Sequence, residues 1–208
     1  MAAIIFDFDG TIADSFEAVV QIFRELTGHK SEPVSAAEIE RLRGLSPVHV
    51  MKELHIHPWR VPFLVMRGRR RMRKRIDSIA AHPGMPAVIN KLYDEGHQLF
   101  VVSSNSTRNI KQFFRQHHLT REFIAIYGKA GLLSKAGLLK KVLRQNSLDP
   151  ADTWYVGDEV RDVTAAKDAN LRVIAVSWGY NNADILKSHQ PTALAETPND
   201  IIRILEEA

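Results

Sequence analysis

The sequence predicts an α/β protein whose doubly wound parallel sheet is interrupted, after its first strand, by a small all-helical insertion. Three observations carry this prediction. Short apolar runs alternate along the chain with segments of helical periodicity, as they do in sheets whose strands are joined by helices. Polar residues follow directly on several of these runs. Residues 28–83 contain only helix-like pieces and no convincing strand.

Length and composition fit one globular domain, or one domain with an insertion. The chain has 208 residues, of which 45% are hydrophobic and 25% charged, and this balance is typical of a protein with a folded core. The sequence has no cysteine, which excludes disulfide scaffolds, thiolate zinc sites, iron–sulfur clusters and cysteine nucleophiles. No apolar run approaches the ~18 residues of a membrane span, and Asp7 and Asp9 fall where a signal peptide is most hydrophobic. We therefore expect a cytoplasmic protein with no membrane span.

The first strand and the helix after it are predicted from apolar spacing. Residues 3–8 form a short apolar run that ends in acidic residues and Gly10, as a buried parallel strand feeding a turn does. Asp14 or Ser15 can cap the following helix, which ends near Gly28. The apolar positions with helical spacing are Phe16, Val19, Val20, Phe23 and Leu26.

The insertion and the second half of the chain follow from the same patterns. Helix-like pieces at residues 36–42, 47–54 and 59–79 are separated by Pro and Gly. Strands are then predicted at residues 98–103, 123–127, 153–156 and 172–176, with helices at about residues 88–96, 106–118, 134–146 and 159–169 between them. Strands alternating with helices indicate a parallel sheet that is covered on both faces.

Polar side chains follow three of these strands. Asp7 and Asp9 lie two positions apart, so strand alternation directs both carboxylates to the same side. Ser103-Ser104-Asn105 follows the second strand, and Gly157-Asp158-Glu159 follows the fourth, with Asp162 one helical turn further on. Lys135 begins a helix, from which its ammonium can reach an anion held over the sheet. Since parallel sheets bind ligands at the carboxyl ends of their strands, these groups predict a site there.

In this order the motifs resemble the haloacid dehalogenase (HAD) superfamily, whose signature is a DxDGT strand end, a Ser or Thr strand end, a Lys and a GDxxxD strand end. The resemblance covers about residues 3–180. Residues 155–162 (YVGDEVRD) and 176–180 (VSWGY) make the chain similar to the phosphoglycolate-phosphatase-like branch. The resemblance implies a Rossmann-like α/β core formed by residues 1–14 and 84–208, and a helical cap domain formed by residues 15–83.

The resemblance also implies roles for the motif residues. Asp7 would be the nucleophile that accepts a phosphoryl group, and Asp9 the general acid and then the general base. Ser104 and Lys135 would bind the phosphoryl oxygens. The residues that would complete the phosphate-binding surroundings are Phe8, Gly10, Thr11 and Asn105. The expected cofactor is Mg²⁺, held by Asp7, the backbone carbonyl of Asp9, Asp158 and Asp162.

Several of these roles have competing interpretations. Asp162 lies in the first turn of a helix, where an aspartate often only caps the helix. Ser103 competes with Ser104 for the phosphate role, and Lys129 is a substitute for Lys135, because the superfamily's usual proline does not follow Lys135. Arg43, with Gly44, is a candidate contact for the leaving group of the substrate.

One segment accounts for the net charge of +4. Residues 67–76 hold seven basic side chains, and without them acidic residues would outnumber basic ones. A solvated helix face is the leading interpretation; the others are attraction of an anionic substrate, or contact with nucleic acid or an acidic membrane. The segment has no interleaved aromatic residue, which lowers the case for nucleic acid. The nine histidines form no recognisable metal site, and Trp178 is expected to anchor a loop.

The resulting functional prediction is a Mg²⁺-dependent phosphatase that hydrolyses a small phosphomonoester, phosphoglycolate-like or a sugar phosphate, through an aspartyl-phosphate. Asp9 argues against dehalogenation, because a halide leaving group needs no acid. A sugar phosphomutase of the same superfamily remains an alternative, as does a non-catalytic phosphate-sensing or interaction module that docks through the arginine-rich helix. The sequence leaves the oligomeric state open.

Overall fold

The central element of the computed structural model, which describes residues 1–28, 35–45, 49, 52, 56–128 and 135–208, is a parallel six-stranded sheet. Its strand order is β3-β2-β1-β4-β5-β6. The strands are β1 (Ala3–Phe6), β2 (Gln98–Val102), β3 (Phe123–Tyr127), β4 (Thr153–Gly157), β5 (Arg172–Val176) and β6 (Ala193–Ala195). The doubly wound fold predicted from the sequence is confirmed.

The central position of β1 sets where a ligand can bind. Ile5 on β1 pairs with Phe100 on β2 and with Tyr155 on β4. The strand order reverses between β1 and β4, and open α/β sheets bind ligands at such a reversal, beyond the carboxyl ends of the strands. Two predictions need correction. Strand β1 ends at Phe6 rather than Phe8, because the chain folds into a turn beyond Asp7, where the amides of Ile12 and Ala13 donate to the carbonyl of Phe8. Strand β6 was missed because three residues give no readable alternation.

Helices cover both faces of the sheet. The helices of the second half are α4 (Met85–Asp94), α5 (Thr107–Gln116), α6 (Lys135–Gln145), α7 (Val160–Asp168), α8 (Ala183–Ser188) and α9 (Pro198–Glu206). Residues Ile4 and Phe6 face the core formed with α4, α5 and α9. Ile5 between them faces the core formed with α6, α7 and α8. This alternation is the period-two pattern of a strand that is buried on both sides.

Between β1 and α4, the regular elements of the described residues are helices and 3₁₀ turns. They are α1 (Phe16–Leu26), α2 (Ala36–Arg43), α3 (Val61–Arg75) and two 3₁₀ turns, Pro58–Arg60 and Ile76–Ser78. The helix predicted over 59–79 is therefore α3 flanked by these turns, and the one predicted over 47–54 lies largely outside the described residues. Glu25 on α1 accepts hydrogen bonds from Arg71 at 2.7 Å and Arg75 at 2.5 Å, so two of the basic residues hold α3 against α1.

The two segments that join these helices to the sheet run side by side. The amide of Asp14 donates to the carbonyl of Ala80, and the amide of His82 donates to the carbonyl of Ile12, both at 2.9 Å. Ala13 and Ala81 form an antiparallel bridge between the segments. The chain thus leaves and rejoins the sheet at one place, as an inserted helical unit requires. In the described part of the chain, every helix is too short or too polar to cross a membrane.

Candidate active site

The turn after β1 places Asp7 at the centre of the site. Its backbone amide donates to the carbonyl of Val156 on β4 at 2.8 Å, which continues the sheet pairing by one residue. Its side chain is buried, and Oδ1 accepts a 2.7 Å hydrogen bond from the amide of Phe8. Burial raises the pKa of Asp7, and the ammonium of Lys135 acts in the opposite direction.

Asp9 lies beside Asp7 in a different environment. Its carboxylate accepts hydrogen bonds from the Ser15 hydroxyl at 3.0 Å and from the Asn105 amide at 3.1 and 3.0 Å. Burial and the nearby charge of Asp7 raise the pKa of Asp9 to about 6, although these hydrogen bonds favour the carboxylate. A group with that pKa exchanges a proton readily near neutral pH.

The end of β4 brings two further carboxylates to the site. Asp158 is fully buried and accepts hydrogen bonds from the Thr11 hydroxyl and from the amide of Tyr180, both at 2.7 Å. Asp162 accepts a 3.1 Å hydrogen bond from the amide of Glu159, and the two residues form a reciprocal capping box. The capping interpretation of Asp162 is therefore correct, and it does not exclude a place in the site, because its other oxygen faces Lys135.

Lys135 links the two strand ends. Its ammonium donates to Asp7 Oδ2 at 2.7 Å and also to Asp162 Oδ1. Burial by itself would lower the pKa of Lys135, but the charges of Asp162 and Asp7 outweigh it, so the pKa is raised and the ammonium stays charged. The segment that contains the alternative, Lys129, lies outside the described residues.

The acidic residues form a donor set for a cation. One carboxylate oxygen each from Asp7, Asp158 and Asp162 lies within 4.8 Å of the others, and all three residues are buried. Burial raises the pKa of Asp158 well above its usual range, and the charges of Glu159 and Asp162 add to this effect. The Lys135 ammonium bonds to Asp7 and Asp162, whereas Asp158 accepts hydrogen bonds from the neutral Thr11 hydroxyl and Tyr180 amide, so the cluster lacks positive charge. Hard oxygen donors of this kind fit Mg²⁺.

Two glycines let the backbone approach Asp158 closely. A Cβ on Gly10 would lie 2.2 Å from Asp158 Oδ2, and Gly10 adopts φ of +79°. A Cβ on Gly179 would lie 2.2 Å from Asp158 Cβ. Both distances are shorter than any real contact, so these positions require glycine, and the Asp158 carboxylate is enclosed by backbone from two loops.

The two serines after β2 have different surroundings. Ser103 is buried, and its hydroxyl accepts a 3.1 Å hydrogen bond from the amide of Asn105. Ser104 is partly exposed and lines the cavity above Asp9. The arrangement favours Ser104 for the phosphate role, which stays a prediction.

A cavity of about 200 Å³ opens above these residues. Its floor consists of Asp9, Ser104 and Asn105, and one side consists of Glu159, Arg161 and Tyr180. Its roof comes from α1 and α3. The apolar roof residues are Val19, Ile22, Phe23, Val65 and Met72. Gly68 and Arg69 complete the roof, so the arginine-rich segment does reach the site, and Arg69 is the one basic residue by which it does so.

Several residues that were predicted to contact the phosphate group have partners within the protein. The Gly10 amide donates to the carbonyl of Ala13 at 2.9 Å, and the side chain of Phe8 packs edge-on against Phe113. The Thr11 hydroxyl is engaged with Asp158, as described above. Phosphate contacts by Phe8, Gly10 and Thr11 stay predictions, and the structure gives Gly10 and Thr11 the additional role of shaping the aspartate pocket.

Arg43 is not among the residues that line this cavity. It pairs with Glu40 at 3.1 Å, and its guanidinium lies 5.5 Å from the centre of the Phe16 ring. Its role at the leaving group remains a prediction. Trp178 anchors a loop as expected, because its indole donates to the carbonyl of Thr11 at 3.1 Å.

Sequence reasoning missed four residues of the site. Ser15 and Tyr180 hydrogen-bond to each other at 3.2 Å beside Asp9. The sequence indicated Ser15 only as a helix cap and Tyr180 only as the last residue of VSWGY, and neither pattern indicates a contact with Asp9. Arg161 stands inside the YVGDEVRD segment and pairs with Glu159 at 2.5 Å, so its position next to a motif aspartate was the available signal. Arg69 was not distinguished from the other six basic residues of its segment.

Comparison with known proteins agrees with this architecture. Residues 4–176 match the family described as haloacid dehalogenase-like hydrolase. A phosphoglycolate phosphatase from Synechococcus elongatus is 32% identical over 204 residues, covering 98% of this chain and 96% of that protein. A 5'-nucleotidase from Pseudomonas aeruginosa is 29% identical over 112 residues, covering 52% of this chain and 51% of that protein.

A solved structure supports the fold. The haloacid dehalogenase-like family protein SP0104 from Streptococcus pneumoniae superposes with a TM-score of 0.77 at 22% identity, covering 98% of each chain. The motif order, the sheet order and the match over residues 4–176 all agree. The chain belongs to the haloacid dehalogenase-like hydrolase family.

Proposed function

We propose that this phosphoric monoester hydrolase is a Mg²⁺-dependent phosphatase, which acts on a small phosphomonoester through an aspartyl-phosphate on Asp7. The observation that carries the proposal is the contrast between two neighbouring carboxylates. Lys135 donates to Asp7 at 2.7 Å and favours its ionised, nucleophilic form. Asp9, with a pKa raised to about 6, can hold and release a proton. Neighbouring titratable groups with different environments are typical of an acid and a nucleophile that act together.

In the first step, an Asp7 carboxylate oxygen attacks phosphorus and the bond from phosphorus to the ester oxygen breaks. The leaving alkoxide takes a proton from Asp9, so it departs as a neutral alcohol. Asn105 and Ser15 hold the Asp9 carboxyl in place through the hydrogen bonds described above. The Lys135 ammonium and the Ser104 hydroxyl bind the phosphoryl oxygens and balance their charge.

In the second step, Asp9 is ionised and accepts a proton from a water molecule. That water attacks phosphorus, the bond between phosphorus and the Asp7 oxygen breaks, and inorganic phosphate is released. Asp9 ends the cycle protonated and Asp7 ends it as a free carboxylate. The same carboxyl therefore acts as acid and then as base.

Asp7, Asp158 and Asp162, with the backbone carbonyl of Asp9, would hold Mg²⁺. When bound, the ion neutralises the charge that carboxylates and phosphate bring together. The cluster's shortage of positive charge supports this assignment.

We also propose a division into an α/β core of residues 1–14 and 84–208 and a helical cap of residues 15–83. The paired connecting segments at Ala13 and Ala81 support it. Movement of the cap at this pair would exclude bulk water during the first step and admit water for the second.

The substrate is a small phosphoester, phosphoglycolate-like or a sugar phosphate. The relative from Synechococcus elongatus supports a phosphoglycolate-like ester. Cytoplasmic location stays a prediction from the sequence, as does contact of residues 67–76 with nucleic acid.

A mutase and a docking module remain the alternatives. A mutase would isomerise a phosphosugar and release little phosphate. A docking module would bind acidic polymers through the arginine-rich helix, with an affinity that falls steeply as salt rises. The intact nucleophile and acid favour hydrolysis over docking.

The decisive experiment measures inorganic phosphate released from a panel of small phosphoesters, with Mg²⁺ and with a chelator. Asp7→Asn serves as the nucleophile variant, and Asp168→Asn serves as a matched control at the far end of α7. The proposal predicts release that requires Mg²⁺, is lost in Asp7→Asn and persists in Asp168→Asn. Release that persists in Asp7→Asn would overturn the aspartyl-phosphate, and isomerisation of a sugar phosphate without release would favour the mutase.

A further inference from the structure

Two arginines in the cavity have no function in the mechanism above. Arg69 comes from α3 in the roof, and Arg161 comes from α7 at the side. The Nε atom of each is buried and has no hydrogen-bond partner. A buried N–H without an acceptor is costly, and native proteins seldom leave one unused.

Arg69 and Arg161 differ from the other arginines because they line the cavity. Arg43 and Arg75 also have a buried nitrogen without a partner, but neither lines this cavity. On the same helix, Arg71 pairs with Glu25, whereas Arg70 faces solvent. Within the described residues, Arg69 has no carboxylate at ion-pairing distance. Burial lowers the pKa of Arg69, and the charge of Asp9, on the floor of the cavity, acts in the opposite direction.

One hydrogen bond fixes the position of each arginine beside the cavity: a side-chain contact for Arg161 and a backbone contact for Arg69. The Arg161 Nη2 donates to Glu159 at 2.5 Å, which orients the side chain. The backbone carbonyl of Arg69 accepts a hydrogen bond from the Asn109 amide at 3.3 Å, and the same amide donates to Asn105 at 2.9 Å. The roof arginine is therefore connected to the residue that binds Asp9. The Arg161 guanidinium, oriented by Glu159, loses little freedom when a ligand binds.

The apolar residues of the roof make the cavity selective for a leaving group that can pair with these two arginines. Val19, Ile22, Phe23, Val65 and Met72 offer no hydrogen bond to a leaving group. In such surroundings a charged hydrogen bond is stronger than in water, and a hydroxyl without a partner is penalised. The cavity thus suits a leaving group with a short carbon skeleton and one oxyanion.

We propose that Arg69 and Arg161 form a second anion subsite, which binds a carboxylate or a second phosphate on the leaving group of the phosphoester. This proposal rests on the proposed phosphatase function, and it defines the substrate class as small phosphoesters with an additional oxyanion. The guanidinium group of an arginine pairs well both with a planar carboxylate and with a tetrahedral phosphate.

The test compares three esters of similar size: 2-phosphoglycolate, 1,2-ethanediol bisphosphate and ethyl phosphate. The measured quantity is kcat/KM for each anionic ester divided by kcat/KM for ethyl phosphate. We expect a ratio of at least about ten in the unmodified enzyme, and a drop in that ratio of at least about tenfold in Arg69→Gln, as for loss of a hydrogen bond to a charged group. Arg70→Gln, which removes the same charge from the exposed neighbour, should leave the ratio unchanged. The anionic ester with the higher ratio identifies the group that the subsite takes.

Arg161→Lys is the second variant. It keeps a positive charge beside Glu159 but removes the Nε donor, and we expect the same ratio to fall. A ratio near one in the unmodified enzyme, or an equal drop in Arg69→Gln and Arg70→Gln, would overturn the subsite while phosphate release continued to support the phosphatase.

A binding measurement separates the two proposals if no ester is hydrolysed. Calorimetry on Asp7→Asn, which lacks the nucleophile, gives Kd for 2-phosphoglycolate and for ethyl phosphate. Adding Arg69→Gln should weaken binding of 2-phosphoglycolate about tenfold more than binding of ethyl phosphate. Equal weakening of both would overturn the subsite without reference to turnover.

Discussion

The side-chain amide of Asn105 donates to both carboxylate oxygens of Asp9, at 3.1 and 3.0 Å. The two residues are 96 positions apart in the sequence and meet because β1 and β2 are neighbours in the sheet. This contact favours the ionised form of Asp9, and burial favours the protonated form. The pKa of the proposed acid and base is therefore set by two opposing effects.

The first prediction concerns that balance. Asn105→Ala removes the donor to Asp9, so the pKa of Asp9 should rise above its value of about 6. Titration of the Asp9 carboxyl carbon by NMR in metal-free protein measures this directly. Asn146→Ala, which removes an amide donor far from the site, is the control. A pKa that is unchanged or lower in Asn105→Ala would contradict the assignment.

The second prediction concerns stability and pH. The pKa of Asp9 is about 6 in the folded protein against 3.8 for the ordinary group, so the folded state binds more protons between these values. Stability should therefore fall as pH rises from about 4 to about 6, by at most about 3 kcal/mol. Asp9→Asn cannot ionise and should avoid this loss. The free energy of unfolding is measured with urea in the presence of a chelator. Relative to the unmodified protein, Asp9→Asn should be more stable at pH 8 than it is at pH 4. The same difference in unfolding free energy at both pH values would refute the prediction.

The third prediction concerns Lys135, whose ammonium bridges Asp7 and Asp162. Lys135→Met leaves two buried carboxylates without their partner, and we expect a loss of about 3–5 kcal/mol in a chelator. Because Mg²⁺ would supply positive charge to the same cluster, it should restore part of this stability. The exposed Lys140, on the same helix, provides Lys140→Met as the control. Thermal unfolding with and without Mg²⁺ tests both statements, and a Lys135→Met variant as stable as the control would rule them out.

The fourth prediction compares two glycines. Gly10→Ala places a Cβ 2.2 Å from Asp158 Oδ2 at φ of +79°, so it should destabilise the protein by more than about 1 kcal/mol and weaken Mg²⁺ binding. Gly137 lies within α6, and a Cβ added there would meet no atom within 4 Å, so Gly137→Ala should stabilise the protein by about 0.5–1 kcal/mol. Unfolding free energies measure both effects, and a similar effect at both positions would show that the tight contact at Gly10 has no consequence.

The fold was largely predictable because its signals are local. Ile4, Ile5 and Phe6 are all buried, and a continuous apolar run of this kind is typical of a strand covered on both faces. The spacing of Asp7 and Asp9 also indicated where the site lies. The strand Ala193–Ala195 was not predictable, because its three residues pair only with β5 and their own pattern does not distinguish a strand from a loop.

The alternation of strands and helices, the family resemblance, and the carboxylates, serines and lysine available for chemistry could all be read from the amino-acid sequence. These properties depend on residue type and on spacing over a few positions. Which of these groups meet depends on the tertiary structure. Lys135 reaches Asp7 across 128 positions, and Arg69, of the seven basic residues in its segment, is the one that lines the cavity. These contacts depend on the order of the strands and on the rotation of a helix about its axis. A local sequence pattern predicts neither of them.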